Sequence, residues 1–218
     1  MKVPIANVLF DNVTMSQAVE QVVAMARKHD KARFVCTGNL DHLVMLDRDP
    51  AFAEVYHAAD LVLADGAPVV WLSRLYSGKS GRPIQERVAG SDLFWELSKA
   101  SHEQGLKLFF LGGVPGVADR AKQAVLARYP KANICGTYCP PFETFGTEEE
   151  QARIRETVCA AAPDILMVAF GAPKQEKWIA ANRDMLQVPV SIGVGGSFEM
   201  AAGRVRRAPL WMRRNGLE

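Results

Sequence analysis

No stretch of this sequence approaches the roughly 18 consecutive apolar residues that a membrane-spanning helix needs, so a helical span is not expected. The first ten residues carry one Lys and then an apolar run that ends at Asp11, too short for the h-region of a secretory signal. The expectation is a cytoplasmic protein that at most touches the inner face of a membrane from outside. Cysteine is scarce: Cys36, Cys135, Cys139 and Cys159 form no CxxC pair and have no His at ligand spacing, which argues against a metal site and for buried free thiols. No GxGxxG follows the first core strand, there is no internal repeat, and neither charge sign dominates, with a formal net charge of +2.

What is present is an ordinary globular composition, 49% hydrophobic and 23% charged over 218 residues, enough for one buried core and one domain. The charge is uneven. Residues 204–218 hold five Arg and one Glu, leaving 21 basic against 23 acidic residues elsewhere. A basic end on a near-neutral body suits a local anionic partner, a diphosphate or an anionic membrane surface, and not a nucleic-acid face. The chain is therefore divided into an α/β core over 1–203 and a basic C-terminal segment over 204–218.

Short apolar runs at Phe34 to Cys36, Leu61 to Ala64, Lys107 to Leu111, Ala132 to Cys135, Ile165 to Ala169 and Val188 to Ile192 predict buried strands. Helical periodicity covers Thr14 to Lys28, Pro50 to Ala59, Ser91 to Gln104, Val117 to Arg128 and Thr147 to Ala161. Strand and helix alternating about six times predict a Rossmann-like, mostly parallel sheet with helices on both faces. Val3 to Phe10 adds an edge strand or hairpin, and Ser77 to Glu86 (SGKSGRPIQE) is expected to be a mobile surface loop.

Ligands of such sheets sit outside the carboxyl ends of the strands, so the residues that follow each run matter most. Asp65 follows Leu61 to Ala64 and precedes Gly66; a carboxylate there is equally a general base or a cap of a helix beginning near Ala67. Thr37 and Asn39 offer a hydroxyl and an amide to a sugar or diphosphate, or else cap the next helix. GGVPG (Gly112 to Gly116) places backbone N–H groups at a helix start, where a phosphate or a plain tight turn fits. Lys174, Gln175 and Glu176 lie in FGAPKQEKW, with Pro173 at the first turn of a helix, and either reach a ligand or form a solvated turn. GVGGSFEMAAG (Gly193 to Gly203) lets a nucleotide, or another stretch of backbone, approach closely. Arg204, Arg206, Arg207, Arg213 and Arg214 interleave with Leu210, Trp211 and Met212, as an element over anionic lipid does, and as a solvated basic face also does. His29, His42, His57 and His102 receive no role.

Together TGNLDHLV (37–44), LADGAPVVW (63–71), RVAGSDL (87–93), FFLGG (109–113), FGAPKQEKWI (170–179) and GVGGSFEMAAGRVRRAP (193–209) resemble the bacterial WecG/TagA/CpsF glycosyltransferases, glycosyltransferase family 26. The motifs occur in order and span nearly the whole chain. The resemblance implies inverting, metal-independent and cofactor-free transfer of a sugar, of N-acetylmannosamine type or a related hexose. The donor is a UDP-sugar and the acceptor a polyprenyl-diphosphate-linked saccharide, in cell-envelope polysaccharide or teichoic acid synthesis. It implies Asp65 as the base toward the acceptor hydroxyl, with Thr37, Asn39, Gly66, Arg87 and Gln175 on the substrate. Gly112, Gly113, Lys174, Gly195, Gly196 and Glu199 would face the nucleotide and diphosphate, and Arg206, Arg207, Arg213 and Arg214 the membrane and lipid diphosphate.

The family pattern continues past Glu218 with a Trp and an Arg-rich tail, so this chain is expected to bind UDP but turn over slowly. Self-association into a homo-oligomer is compatible with the sequence. Two other readings remain: an NAD(P) oxidoreductase, weakened by the missing glycine fingerprint, and a non-catalytic module that binds a sugar nucleotide or lipid head group.

Overall fold

A strand buried on both faces needs apolar side chains at every position, because its alternate residues serve two different cores. The runs approach this, except at Lys107, Asn133 and Ser191 and along the partly buried β6. In the computed structural model, which describes residues 1–76 and 81–205, they become β3 (Arg33–Gly38), β4 (Leu61–Ala64), β5 (Lys107–Gly112), β6 (Asn133–Tyr138), β7 (Ile165–Ala169) and β8 (Val190–Gly193). All six pair in parallel, in the order β4-β3-β8-β7-β5-β6. Leu108 and Phe110 of β5 point into one core cluster, and Phe109 and Leu111 into the other.

The first cluster lies beneath α1 (Met15–Lys28), α5 (Gly90–Gln104), α6 (Val117–Arg128) and the short α9 (Ser197–Ala201). The second lies beneath α2 (Leu40–Arg48), α3 (Pro50–His57), α4 (Ala67–Tyr76), α7 (Glu148–Ala161) and α8 (Lys174–Leu186). The result is a single-domain α/β fold with helices on both faces of a parallel sheet, as the alternating pattern predicts. Among the described residues, no helix is long and apolar enough to cross a membrane.

The N-terminal residues form an antiparallel hairpin, β1 (Lys2–Ile5) and β2 (Val8–Asp11), separate from the main sheet. Two strand predictions shift. β6 runs on to Tyr138, so Thr137 lies in the strand, and β8 starts two residues later than its apolar run and ends at Gly193. The described part of the segment before Arg87 lies at the surface except for Ile84. Residues 77–80 lie outside those described, but the stretch after them is pinned: Asn12 donates to the Pro83 carbonyl and accepts from Gln85 N, both at 2.9 Å. The buried Ile84 donates its N–H to Ser73 Oγ at 2.9 Å.

Candidate active site

Six parallel strands ending at one edge leave six turns side by side, and those turns enclose two adjoining cavities. The first, of about 480 Å³, lies over the ends of β3, β4, β7 and β8. Thr37, Asn39, Asp65, Gly66, Arg87 and Gln175 all line it. The second, of about 970 Å³, lies over β5, β6, β7 and β8 and is lined by Gly113, Lys174 and Glu199 among others. Gly171, Gly195 and Gly196 line both, so the loops after β7 and β8 are the shared wall.

Asp65 leaves β4 through a turn that requires Gly66, whose φ of +104° disfavours any residue with a Cβ. Its Oδ2 accepts from Gly90 N, the first residue of α5, at 3.0 Å. Asp65 therefore holds the start of a helix that begins 25 residues further along the chain. That hydrogen bond fixes one carboxyl oxygen at the start of α5. Arg87 reaches the same cavity from the turn before α5, with Nη2 3.4 Å from Asp92 Oδ2.

Thr37, 6% exposed, donates from Oγ1 to the Gly193 carbonyl at 3.3 Å, tying the end of β3 to that of β8. Asn39 caps α2, its Oδ1 accepting from His42 N at 2.9 Å. The cap uses the carbonyl oxygen only, so the amide nitrogen keeps two donors at the cavity wall. Gln175 accepts at Oε1 from Gly195 N (3.1 Å) and donates from Nε2 to Glu176 Oε1 (2.7 Å). It stands in the first turn of α8, one residue after the start at Lys174, and Pro173 lies just outside that helix instead of in its first turn.

In the second cavity the Lys174 ammonium sits 3.5 Å from the Phe145 ring centroid, with Phe142 and Phe170 at 6.0 and 5.8 Å. Partial desolvation there lowers its pKa from the usual lysine value. Glu199 turns a buried Oε2 toward no hydrogen-bond partner among the described residues. Gly113 lines this cavity, but Gly112 lines neither. A Cβ on Gly112 would stand 2.6 Å from the Ala169 carbonyl oxygen, so its glycine serves the approach of β5 to β7. Arg206, Arg207, Arg213 and Arg214 lie outside the described residues.

The sequence reading passed over several neighbours of the site. His42 is 6% exposed, lines the first cavity and shares a 2.5 Å hydrogen bond between Nδ1 and Tyr56 Oη. Burial holds its pKa down to about 4, so the imidazole is neutral at pH 7. Phe142, 87% exposed at the rim of the second cavity, was also unmarked. The only local hint of His42 was its place three residues after a candidate N-cap, because its partner Tyr56 lies on a different helix. Among the described residues no group of three or more His, Cys, Asp or Glu is placed to hold a metal ion.

Comparison with known proteins gives a concordant picture. The family described as "Glycosyl transferase WecG/TagA/CpsF family" matches residues 3–218. A protein of Bacillus spizizenii named N-acetylglucosaminyldiphosphoundecaprenol N-acetyl-beta-D-mannosaminyltransferase is 30% identical over 215 residues, 99% of this chain and 80% of that relative. A Staphylococcus aureus protein of the same name is 33% identical over 218 residues, 100% of this chain and 82% of that relative.

Proposed function

The chain belongs to the WecG/TagA/CpsF family of glycosyltransferases, and from that premise we propose that it transfers an N-acetylmannosaminyl-type residue from a UDP donor to N-acetylglucosamine carried on polyprenyl diphosphate. The observation that carries this reading is convergence: residues from four strand ends meet around Asp65 in one cavity, which shares Gly195 and Gly196 as a wall with a second, larger one. One cavity suits an acceptor hydroxyl and a base, the other a nucleotide and its diphosphate.

In this scheme the acceptor hydroxyl attacks the anomeric carbon from the Asp65 side, and Asp65 accepts its proton. The new C–O bond forms as the bond from the anomeric carbon to the diphosphate oxygen breaks, with inversion, and the electron pair leaves on UDP. The departing charge needs donors placed for it beforehand. The backbone N–H groups after β5 and β8 supply them, with Lys174 at the nucleotide end and Arg87 on the first-cavity side. Phe142 and Phe145 offer ring faces for a base. Glu199, acceptor-only when ionised, suits the hydroxyls of a ribose or an imide N–H.

The rival readings lose ground. A nicotinamide enzyme would need the glycine fingerprint after its first strand, and a pure binding module would not need a carboxylate facing an acceptor pocket. The test is UDP release from a panel of UDP-sugars, with and without a polyprenyl-diphosphate N-acetylglucosamine acceptor. Release that depends on both substrates and persists in EDTA is expected. Consumption of no UDP-sugar would overturn the transferase reading, and complete loss in EDTA would overturn its metal independence.

A further inference from the structure

A carboxyl group lies buried in the first turn of α8, close under Gly193 at the end of β8. Glu176 is 1% exposed, faces no cation among the described residues, and has one oxygen, Oε2, with no hydrogen-bond partner among them. Burying a carboxyl group this way is costly, and an apolar side chain of the same size would pack there without that cost. Its other oxygen accepts from Gln175 Nε2 at 2.7 Å.

Gln175 is 2% exposed and lines the first cavity, and its Oε1 accepts from Gly195 N, in the loop that lines both. An amide can be turned over without changing its shape, and only its partners decide which end faces which way. Turned over, Gln175 would set N–H against the Gly195 N–H and oxygen against the Glu176 carboxyl, two repulsive contacts in place of two hydrogen bonds. The Glu176 oxygen that faces Nε2 accepts whether the carboxyl is ionised or carries its proton on the other oxygen, so Glu176 selects the orientation that also suits the Gly195 N–H. Gly193 makes the pair possible: a Cβ there would lie 2.7 Å from Gln175 Nε2 and 2.9 Å from Glu176 Oε1.

We infer that Glu176 is a positioning residue for the transferase reaction: it fixes the orientation of the Gln175 amide, and through it the Gly195 loop between the acceptor and nucleotide cavities. Glu176 touches no substrate and acts only through Gln175. The inference rests on the proposed use of the two cavities. Burial of Glu176 also raises its pKa from the usual carboxylate value, and a protonated carboxyl keeps a carbonyl oxygen that can accept from Gln175.

The experiment is a double-mutant cycle on kcat/KM for UDP release, with Gln175→Ala, Glu176→Met and the double variant, beside Glu176→Gln. Glu176→Met fills the space without an acceptor and should lose on the order of 10- to 100-fold, the usual penalty of a site held too loosely. Glu176→Gln keeps an acceptor oxygen and should recover most of that loss. The double variant should be no worse than Gln175→Ala alone. Losses that multiply in the double variant, a Glu176→Met enzyme as fast as wild type, or a Glu176→Gln enzyme as slow as Glu176→Met would each overturn the inference.

A second measurement needs neither turnover nor a variant that folds. The Gln175 side-chain amide protons in the wild-type protein should exchange slowly with solvent by NMR, and rapid exchange would overturn the inference. If the wild-type protein released no UDP at all, the functional reading would fall, and this exchange rate would still decide whether Gln175 is held.

Discussion

At the residue scale, the ambiguity over Asp65 is between two uses of one carboxylate, and the structure shows the structural one made across a distance the sequence conceals. Asp65 accepts from Gly90 N, which it reaches because β4 ends beside the start of α5. No local pattern could announce that pairing. His42 was hidden in the same way: its chemistry depends on Tyr56, which comes from the next helix. Its burial has a measurable consequence. The folded protein holds His42 near pKa 4 against 6.5 for an ordinary histidine, so between those values the unfolded chain takes up a proton that the native state refuses. Stability from this group is complete above about pH 6.5 and is lost as the pH falls toward 4, by an amount on the order of 3 kcal/mol. Urea unfolding midpoints followed from about pH 7 to about pH 4 should fall more steeply for wild type than for His42→Asn; parallel profiles would contradict the assignment.

At the scale of elements, the apolar runs gave away the strands because a strand buried on both faces has no polar position to blur it. Their ends were less legible. β8 begins two residues inside its run, and β6 extends into Thr137 and Tyr138, because pairing, of β8 with β3 and β7 and of β6 with β5, sets where the ladder stops, not composition. The glycine-rich loop after β8 could be read as a place of close approach, but not what holds it. That is the work of Phe198, fully buried on α9, whose ring lies 5.1 Å from Phe110 and 5.9 Å from Phe94. The loop is thus fastened below by aromatic packing and above by Gln175. Phe198→Ala should destabilise the protein by about 3–5 kcal/mol, the usual loss for a buried aromatic, and weaken UDP binding because Gly195, Gly196 and Glu199 shift with the helix. Thermal unfolding and calorimetric titration with UDP check the two parts, and a variant with unchanged UDP affinity would show that the anchor is irrelevant to the site.

At the scale of the whole molecule, the fold class was readable from the alternation of strand and helix, but the order of the strands was not. Nothing in the sequence says that β8, the last strand, inserts between β3 and β7. Yet that insertion makes the site, because it sets the GVGGSFE loop between the Asp65 turn and the Lys174 turn and gives two cavities a common wall. The resemblance to a family could name residues of one site long before geometry could show that they meet. It could not separate Gly112, which serves the packing of β5 on β7, from Gly113, which faces the cavity.

The central claim is that Asp65 removes the proton of an acceptor hydroxyl, and one comparison tests it most directly: the rate of UDP release in the presence of donor and lipid-linked acceptor, for wild type and Asp65→Asn. The amide keeps an oxygen to accept from Gly90 N, so the start of α5 is held while the base is lost. The rate should fall by roughly 10²- to 10⁴-fold, the usual contribution of a general base, with UDP affinity unchanged. An Asp65→Asn protein that transfers sugar as fast as wild type would contradict the account.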